Sequence, residues 1–442
     1  MYNKSMNDNT SEPIDETPTP DLTPEANNND VSIPEDGDKR KGKTFAISGV
    51  LLLVIIISVI VTTMMMNGGK KDGGEGGDNG GGSSIVDDGD DEESTELSSG
   101  TVTTKIDGKT ISYAGAYVVD GIEATISSGT YESATDNQAV FLVINGGKLA
   151  IKGGTVINKT GSEDFQGRGD DYSFYGINSA IVVVGEGSTA TIDGALINTS
   201  VSGANAVVAT NSGSVTIKNS TISTTKDGSR GLHATYGGVI KASSTKISTK
   251  GGSSASLATD RGEGTVEAVS MELSTAGAGS PLIYSTGDIK VSSSTGTATG
   301  AQIAVVEGKN SVTIDDCEFS TNGIGNRNNV DNAAVMIYQS MSGDASVGTG
   351  SFTATDSKFT VLSDSEQYQT VPFFFVTNTT ATITLDGVNM EFYEDGYFIL
   401  ASGTNEWGKS GNNGAAVTVN ANNIESSSTE VGVDEISSVT GL

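Results

Sequence analysis

Residues Leu232 to Thr259 read LHATYGGVIKASSTKISTKGGSSASLAT, which is one repeat and the start of the next. They belong to the stretch 182–284, which decides the fold because hydrophobic doublets recur along it every 25 residues. A constant period in this range is typical of a solenoid, in which each repeat adds one structural unit. The doublets begin at Val182, Val207, Leu232, Leu257 and Leu282.

Each repeat holds three short segments, separated by Gly, Ser, Asn or Asp, in which apolar and polar residues alternate. This alternation, with many β-branched residues, predicts half-buried strands and no helix. Equivalent residues of successive repeats also form two further apolar columns. They are Ala190, Val215, Ile240 and Val266, and then Ile197, Ile222, Ile247 and Leu273.

Such strands satisfy their backbones by pairing in parallel with the same strand of the next repeat, roughly 4.8 Å away. The sequence therefore predicts an all-β fold, a right-handed parallel β-helix solenoid of about eleven coils. Like residues should then stack in columns, so that Leu232, Leu257 and Leu282 lie one above another.

Composition narrows the possible functions. The chain has 442 residues, a formal charge of −30, one Cys and one His. The negative charge argues against nucleic acid and anionic membrane surfaces as partners. One Cys excludes an intrachain disulfide framework, and one His with one Cys disfavours a transition-metal site. No cofactor is predicted, with calcium left open by the acidity.

Composition also divides the chain. Residues 1–43 are polar and acidic, which predicts a disordered cytoplasmic tail. Residues 44–66 carry no charge and are long enough for one transmembrane helix. Residues 67–100 form a Gly- and Asp-rich flexible stalk. The β-helix is predicted over 101–426, and 427–442 are predicted to be a C-terminal tail. Basic residues before the apolar run predict a single-pass cell-membrane protein with an extracellular β-helix.

Several segments resemble a family of right-handed β-helix surface proteins of Firmicutes, described as adhesin-like or as having the pectin lyase-like fold. They are RGLHATYGG (230–238), LATDRGEGT (257–265), SPLIYSTGDI (280–289), EGKNSVTI (307–314) and VTNTTATITL (376–385). The resemblance covers roughly residues 105–440 and implies a cell-surface role, but it transfers no catalytic residue. The closing VDEISSVTGL resembles the start of a further coil.

One group of polar residues falls on the outer side of the first strand column. Alternation that turns Leu232 and Ala234 inward turns His233 outward. Asp260 faces outward one coil later, and Arg230, Tyr236 and Arg261 lie at the strand ends. A His, carboxylate and Arg group can perform general acid–base catalysis, with His233, Asp260 and Arg261 as candidates. The same residues can instead contact a ligand or form an ordinary solvated strand face.

Three insertions occupy equivalent places between the third strand of one coil and the first strand of the next. They cover residues 161–176, 321–333 and 363–372. The first contains Tyr172 and Tyr175 beside several carboxylates, which suits sugar stacking or a calcium-dependent contact. The alternative is that these aromatic residues cap the hydrophobic interior of the early coils.

These observations predict a membrane-anchored, adhesin-like protein that presents its β-helix for polysaccharide or cell-surface protein binding. One alternative is a carbohydrate-active lyase or hydrolase that uses His233, Asp260 and Arg261. A second alternative is a structural spacer of the cell envelope.

Overall fold

The computed structural model describes residues 96–164, 169–323, 332–340, 345–362, 371–404 and 413–442. Within these residues almost every element is a strand, and the strands form three long sheets. We name them sheets A, B and C, in the order in which each coil passes through them.

Sheet A contains β1 (Gly100–Ile106), β2 (Lys109–Asp120), β5 (Gln138–Ile144), β8 (Ile181–Val184), β11 (Val207–Thr210), β14 (Leu232–Thr235), β17 (Leu257–Thr259), β20 (Ile283–Ser285), β23 (Ala304–Glu307), β26 (Val335–Tyr338), β29 (Phe374–Thr377), β32 (Ile399–Ser402) and β35 (Val431–Val433). Sheet B contains β3 (Glu123–Ile126), β6 (Lys148–Ile151), β9 (Thr189–Asp193), β12 (Ser214–Lys218), β15 (Val239–Ser243), β18 (Thr265–Val269), β21 (Asp288–Ser292), β24 (Ser311–Asp315), β27 (Thr349–Thr355), β30 (Thr380–Asp386), β33 (Ala416–Asn422) and β36 (Ser438–Thr440). Sheet C contains β4 (Gly129–Ser133), β7 (Thr155–Lys159), β10 (Leu196–Thr199), β13 (Thr221–Thr224), β16 (Lys246–Thr249), β19 (Glu272–Thr275), β22 (Thr295–Ala298), β25 (Glu318–Thr321), β28 (Lys358–Val361), β31 (Asn389–Glu391) and β34 (Glu425–Ser426). Among the described residues, the helix α1 spans Gly169–Tyr175.

Each strand pairs in parallel with its counterpart one coil away, so the chain forms a parallel β-helix. Among the described strands, the antiparallel exception is the β1–β2 pair at the start. The predicted columns of sheets B and C are confirmed. Ala190, Val215, Ile240 and Val266 stand in register in sheet B, and Ile197, Ile222, Ile247 and Leu273 do so in sheet C.

The predicted column of sheet A is wrong at both ends. Leu257 pairs with Ile283, and Leu282 lies one position earlier, still in the core. The cause is an extra residue in the turn between Thr259 and Thr265, because the step between paired residues grows there from 25 to 26.

The other end of the column slips for the same reason. Val207 pairs with Ile181, so Val182 points outward. The turn from Val184 to Thr189 holds the extra residue there. A fixed period therefore located the coils but placed the first and last doublets one residue out of register.

The corner between sheets B and C is built the same way in nine successive coils. The residue that follows each sheet B strand has a positive φ, and the next strand starts two residues later. Side chains without a bulky Cβ branch, or Gly, suit this left-handed conformation. The corner residues are Gly194, Asn219, Ser244, Ser270, Ser293, Asp316, Asp356, Gly387 and Asn423.

The inward faces of the three sheets form the main core. Its later coils contain several large aromatic residues, such as Phe319, Phe352 and Phe374, all at most 1% exposed. Cys317 is also buried, and burial raises the pKa of its thiol to about 11. Phe359, Phe373, Phe392 and Phe398 also belong to this core, whereas Phe375 lies in a smaller cluster with Met336 and Tyr338.

The solenoid continues beyond the predicted boundary at residue 426. β35 pairs with β32 and β36 pairs with β33, so the segment predicted as a tail adds strands to two sheets. This agrees with the resemblance of the closing segment to the start of a coil.

The predicted tail, membrane span and most of the stalk (residues 1–95) lie outside the described residues, as do parts of the insertions. In the part of the chain that the structure describes, no helix combines the length and apolar character that a bilayer span requires.

Candidate functional site

The candidate residues lie on the outer side of sheet A, where α1 covers the strands. His233 stands in register between Val208 and Ala258, and its side chain points outward as predicted. Tyr175 at the end of α1 packs against Val182 and Val208 in a second, smaller hydrophobic cluster. The outer side of sheet A is therefore a packed interface at this point.

Gly176 allows α1 to end close to the sheet. Its φ is +69°, and a Cβ at this position would lie 2.8 Å from Cγ1 of Val208. Its backbone N–H donates to the carbonyl of Tyr172 at 2.9 Å. A glycine with this conformation after the last helical residue is a common helix terminator.

The last three carbonyls of α1 accept hydrogen bonds from side chains of the solenoid. These groups have no partner within a helix and need one when they are buried. Asn205 Nδ2 donates to Ser173 O at 3.2 Å, Thr235 Oγ1 to Phe174 O at 2.6 Å, and Tyr113 Oη to Tyr175 O at 2.8 Å. Side chains from three separate coils therefore fix the end of the insertion.

Arg230 and Asp260 form an ion pair beneath α1. Arg230 Nη2 lies 3.1 Å from Asp260 Oδ2, and the two side chains are 13% and 4% exposed. Arg230 Nη1 also donates to Ser173 Oγ on the helix. The guanidinium thus joins the helix to a carboxylate one coil further on.

His233 is completely buried and belongs to the same network. Asn205 Nδ2 lies 3.2 Å from His233 Nδ1. Since an amide nitrogen is a donor, Nδ1 accepts and the ring proton is assigned to Nε2. Nε2 lies 3.7 Å from Asp260 Oδ2, which is too long for a hydrogen bond. Burial, and then the positive charge of Arg230, lower the pKa of His233 to about 4.

Aromatic contacts close the sides of this group. The Tyr175 and Tyr236 rings stack with centroids 5.3 Å apart, and Arg261 Cζ lies 4.3 Å from the centre of the Phe174 ring. Burial also raises the pKa of the Tyr236 hydroxyl. The arrangement is a cation–π contact and a ring stack that hold the helix, rather than an open aromatic platform.

The structure thus brings the seven predicted site residues together: Tyr172, which is half-buried, and Tyr175 belong to α1, and the other five lie beneath or beside it. The interpretation of this patch as a solvated strand face is wrong, because His233 and Asp260 are 0% and 3% exposed. Tyr175 of the insertion packs against the outer side of sheet A, whereas one prediction had the aromatic residues of the insertion cap the interior. Chemically, the group can anchor a helix; a neutral, enclosed imidazole is not presented to a substrate in solvent.

Sequence reasoning missed the roles of Tyr113, Ser173 and Asn205, which complete the anchor together with Phe174, an aromatic residue recognised in the insertion. Ser173 and Phe174 lay within the recognised insertion, but Tyr113 is 62 residues from its partner Tyr175. The sequence of β8 did indicate that this side of sheet A is covered, because all four residues Ile181–Val184 are apolar; in the structure all four are buried. A strand that is apolar on both faces indicates cover on both faces.

A different surface is open to solvent. The outward side chains of β24, β27, β30 and β33 form an array of hydroxyl, amide and carboxylate groups, partly or fully exposed. We call it the hydroxyl face. Its members are Ser311, Thr313, Asp315, Ser351, Thr353, Thr355, Thr382, Thr384, Asp386, Thr418, Asn420 and Asn422.

No Lys or Arg interrupts the hydroxyl face, whereas earlier coils of sheet B carry ion pairs across the strands. Lys218 lies 3.1 Å from Asp193, and Lys241 lies 3.5 Å from Glu267. Neighbouring groups of the hydroxyl face repeat at roughly 4.8 Å between coils and roughly 6.6 Å along a strand.

Among the described residues, no group of three His, Cys, Asp or Glu side chains is placed to hold a metal ion. Comparison of the sequence with models of known families and with curated proteins gives no match.

Proposed function

We propose that the protein is a surface-display protein whose β-helix presents a regular polar face to polysaccharide. The observation that carries the proposal is the hydroxyl face, an exposed array on four consecutive coils. The packing of α1 also supports the proposal, because the His–carboxylate–Arg group that the enzyme alternative would use holds this helix in place. The apolar run at residues 44–66 would attach the chain to the cell membrane with the solenoid outside.

The hydroxyl face suits weak, repeated contacts with a hydroxylated polymer. Thr side chains are stiff about χ1, so their hydroxyls are already oriented before binding and little entropy is lost. Each contact contributes little, but contacts on successive coils act together because the first holds the next close to its partner. The expected ligand is therefore an extended polysaccharide rather than a single sugar.

The experiment is binding of the full chain, in detergent micelles, to an array of polysaccharides with and without calcium. We expect binding to long glycans and weak or absent binding to monosaccharides. Thr353→Lys with Thr384→Lys places two long charged side chains on the hydroxyl face and should reduce binding at least tenfold.

The matched control is Ser248→Lys with Ser274→Lys, which makes the same change of charge on the outward side of sheet C. This variant should bind as the wild type does. Equal loss in both double variants would show that the hydroxyl face is not the contact surface. Absence of binding to every glycan would favour the structural spacer instead.

A further inference from the structure

A buried carboxylate lies further along the outer side of sheet A. Glu307 ends β23 and pairs with Tyr338 of β26 in the next coil. Its side chain is 1% exposed, and within the described residues no Lys, Arg or His forms an ion pair with it. A buried carboxylate without a compensating positive charge is energetically costly.

Two tyrosines satisfy one oxygen of this carboxylate. Tyr284 Oη donates to Glu307 Oε2 at 2.7 Å, and Tyr338 Oη donates to the same atom at 3.0 Å. Burial raises the pKa of Glu307, the nearby hydroxyls of Ser340, Tyr284 and Tyr338 lower it, and the charge of Asp260 raises it. The second oxygen, Oε1, has no hydrogen-bond partner.

A second unpaired oxygen belongs to the adjoining segment. Gln339 follows Tyr338 and is 3% exposed. Its amide nitrogen donates to Ala345 O at 3.2 Å, which leaves Oε1 as the free end, and Oε1 also has no partner. Gln339 Oε1 lies close to Gly308, the residue after Glu307: a Cβ built on Gly308 would be 3.3 Å from this oxygen.

We propose that Glu307 Oε1 and Gln339 Oε1 bind a small hard cation such as Na⁺, K⁺ or Ca²⁺. The unpaired atoms are a carboxylate oxygen and an amide oxygen, the ligand types that these ions prefer, and no sulfur or imidazole is involved. The cation supplies the positive charge that the buried carboxylate lacks. The inference is independent of glycan binding.

The experiment measures the Tm of the full chain in detergent micelles at one ionic strength and one pH. Chloride salts of Na⁺, K⁺ and Ca²⁺ are compared with tetramethylammonium chloride, whose cation is too large for a coordination site. At saturation, the cation that binds should raise Tm by about 5 °C. Glu307→Gln should abolish this rise, and Asp356→Asn, which changes an exposed carboxylate, should retain it.

Gln339→Leu provides a second variant in case Glu307→Gln does not fold, and it should also lose the response. The proposal is overturned if no small cation raises Tm in the wild type, or if the variants at Glu307 and Gln339 respond as the wild type does. A Glu307→Gln variant as stable as the wild type in every salt would also overturn it, because Glu307 would then carry a proton.

Discussion

Arg230 and Asp260 belong to successive coils, which the 3.1 Å contact between Arg230 Nη2 and Asp260 Oδ2 joins, while Arg230 Nη1 donates to Ser173 of α1. The Asp260 side chain is only 4% exposed and that of Arg230 only 13%, so water solvates the two charges poorly. Removing one of the two side chains should lower the free energy of unfolding by more than the ion pair contributes to it, since the other charge then remains enclosed without a partner.

Asp260→Ala should therefore lower the free energy of unfolding by about 3–5 kcal/mol. Replacing both members with apolar residues, as Arg230→Met with Asp260→Leu, should restore most of this loss. Urea denaturation measures both. A double variant as unstable as Asp260→Ala would show that the residues do not act as a pair.

The same variant tests the enzyme alternative. We expect the wild type to show no turnover on a panel of polysaccharides, because His233 and Asp260 are enclosed. Turnover by the wild type that disappears in Asp260→Ala, with the fold intact by circular dichroism, would establish the lyase or hydrolase instead.

His233 should make stability depend on pH in a defined window. Its pKa is lowered from 6.5 to about 4 in the folded protein, mainly by burial. The unfolded chain therefore binds a proton first as the pH falls. The contribution is complete above pH 6.5, is lost as the pH falls from about 6.5 to 4, and reaches about 3 kcal/mol.

The measurement compares unfolding free energies of the wild type and His233→Gln at several values of pH. Carboxylates titrate in both proteins, so their effect cancels in the difference. The difference should change between pH 6.5 and 4 and remain flat above pH 7. A difference that is constant over the whole range would contradict the buried, neutral imidazole.

The B–C corners should be sensitive to β-branched residues. Ser244 is exposed and has a φ of +48°. Ser244→Val gains no packing, but it must hold a branched side chain in the left-handed conformation, and should lose about 1–2 kcal/mol. Ser248→Val, in the extended backbone of β16, should change stability by less than about 0.5 kcal/mol. Thermal unfolding of the two variants decides the point.

Much of the solenoid followed from the sequence because like residues stack at a fixed interval. The columns of Val215 and Ile247 were placed correctly, because their last members, Val266 and Leu273, were taken 26 residues on rather than 25. Leu282 was misplaced because a periodic pattern carries through an insertion as long as another apolar residue happens to fill the position.

The residues of the candidate site, and the side of the sheet on which they lie, were predictable from the sequence. Their burial under α1 was not. Alternation along β14 places His233 on the outer side of the sheet, and this was correct. Alternation cannot tell what lies over that side. The cover depends on contacts such as Thr235 with Phe174, which are 61 residues apart and leave no local pattern.

In sheet A, β11 is bonded to β8 and β14 and to no other strand. A whole coil could therefore be duplicated or deleted in the gene, and the coils on either side would still pair with a coil of the same kind. Such a molecule can change its reach in fixed increments during evolution, with no need to redesign either end.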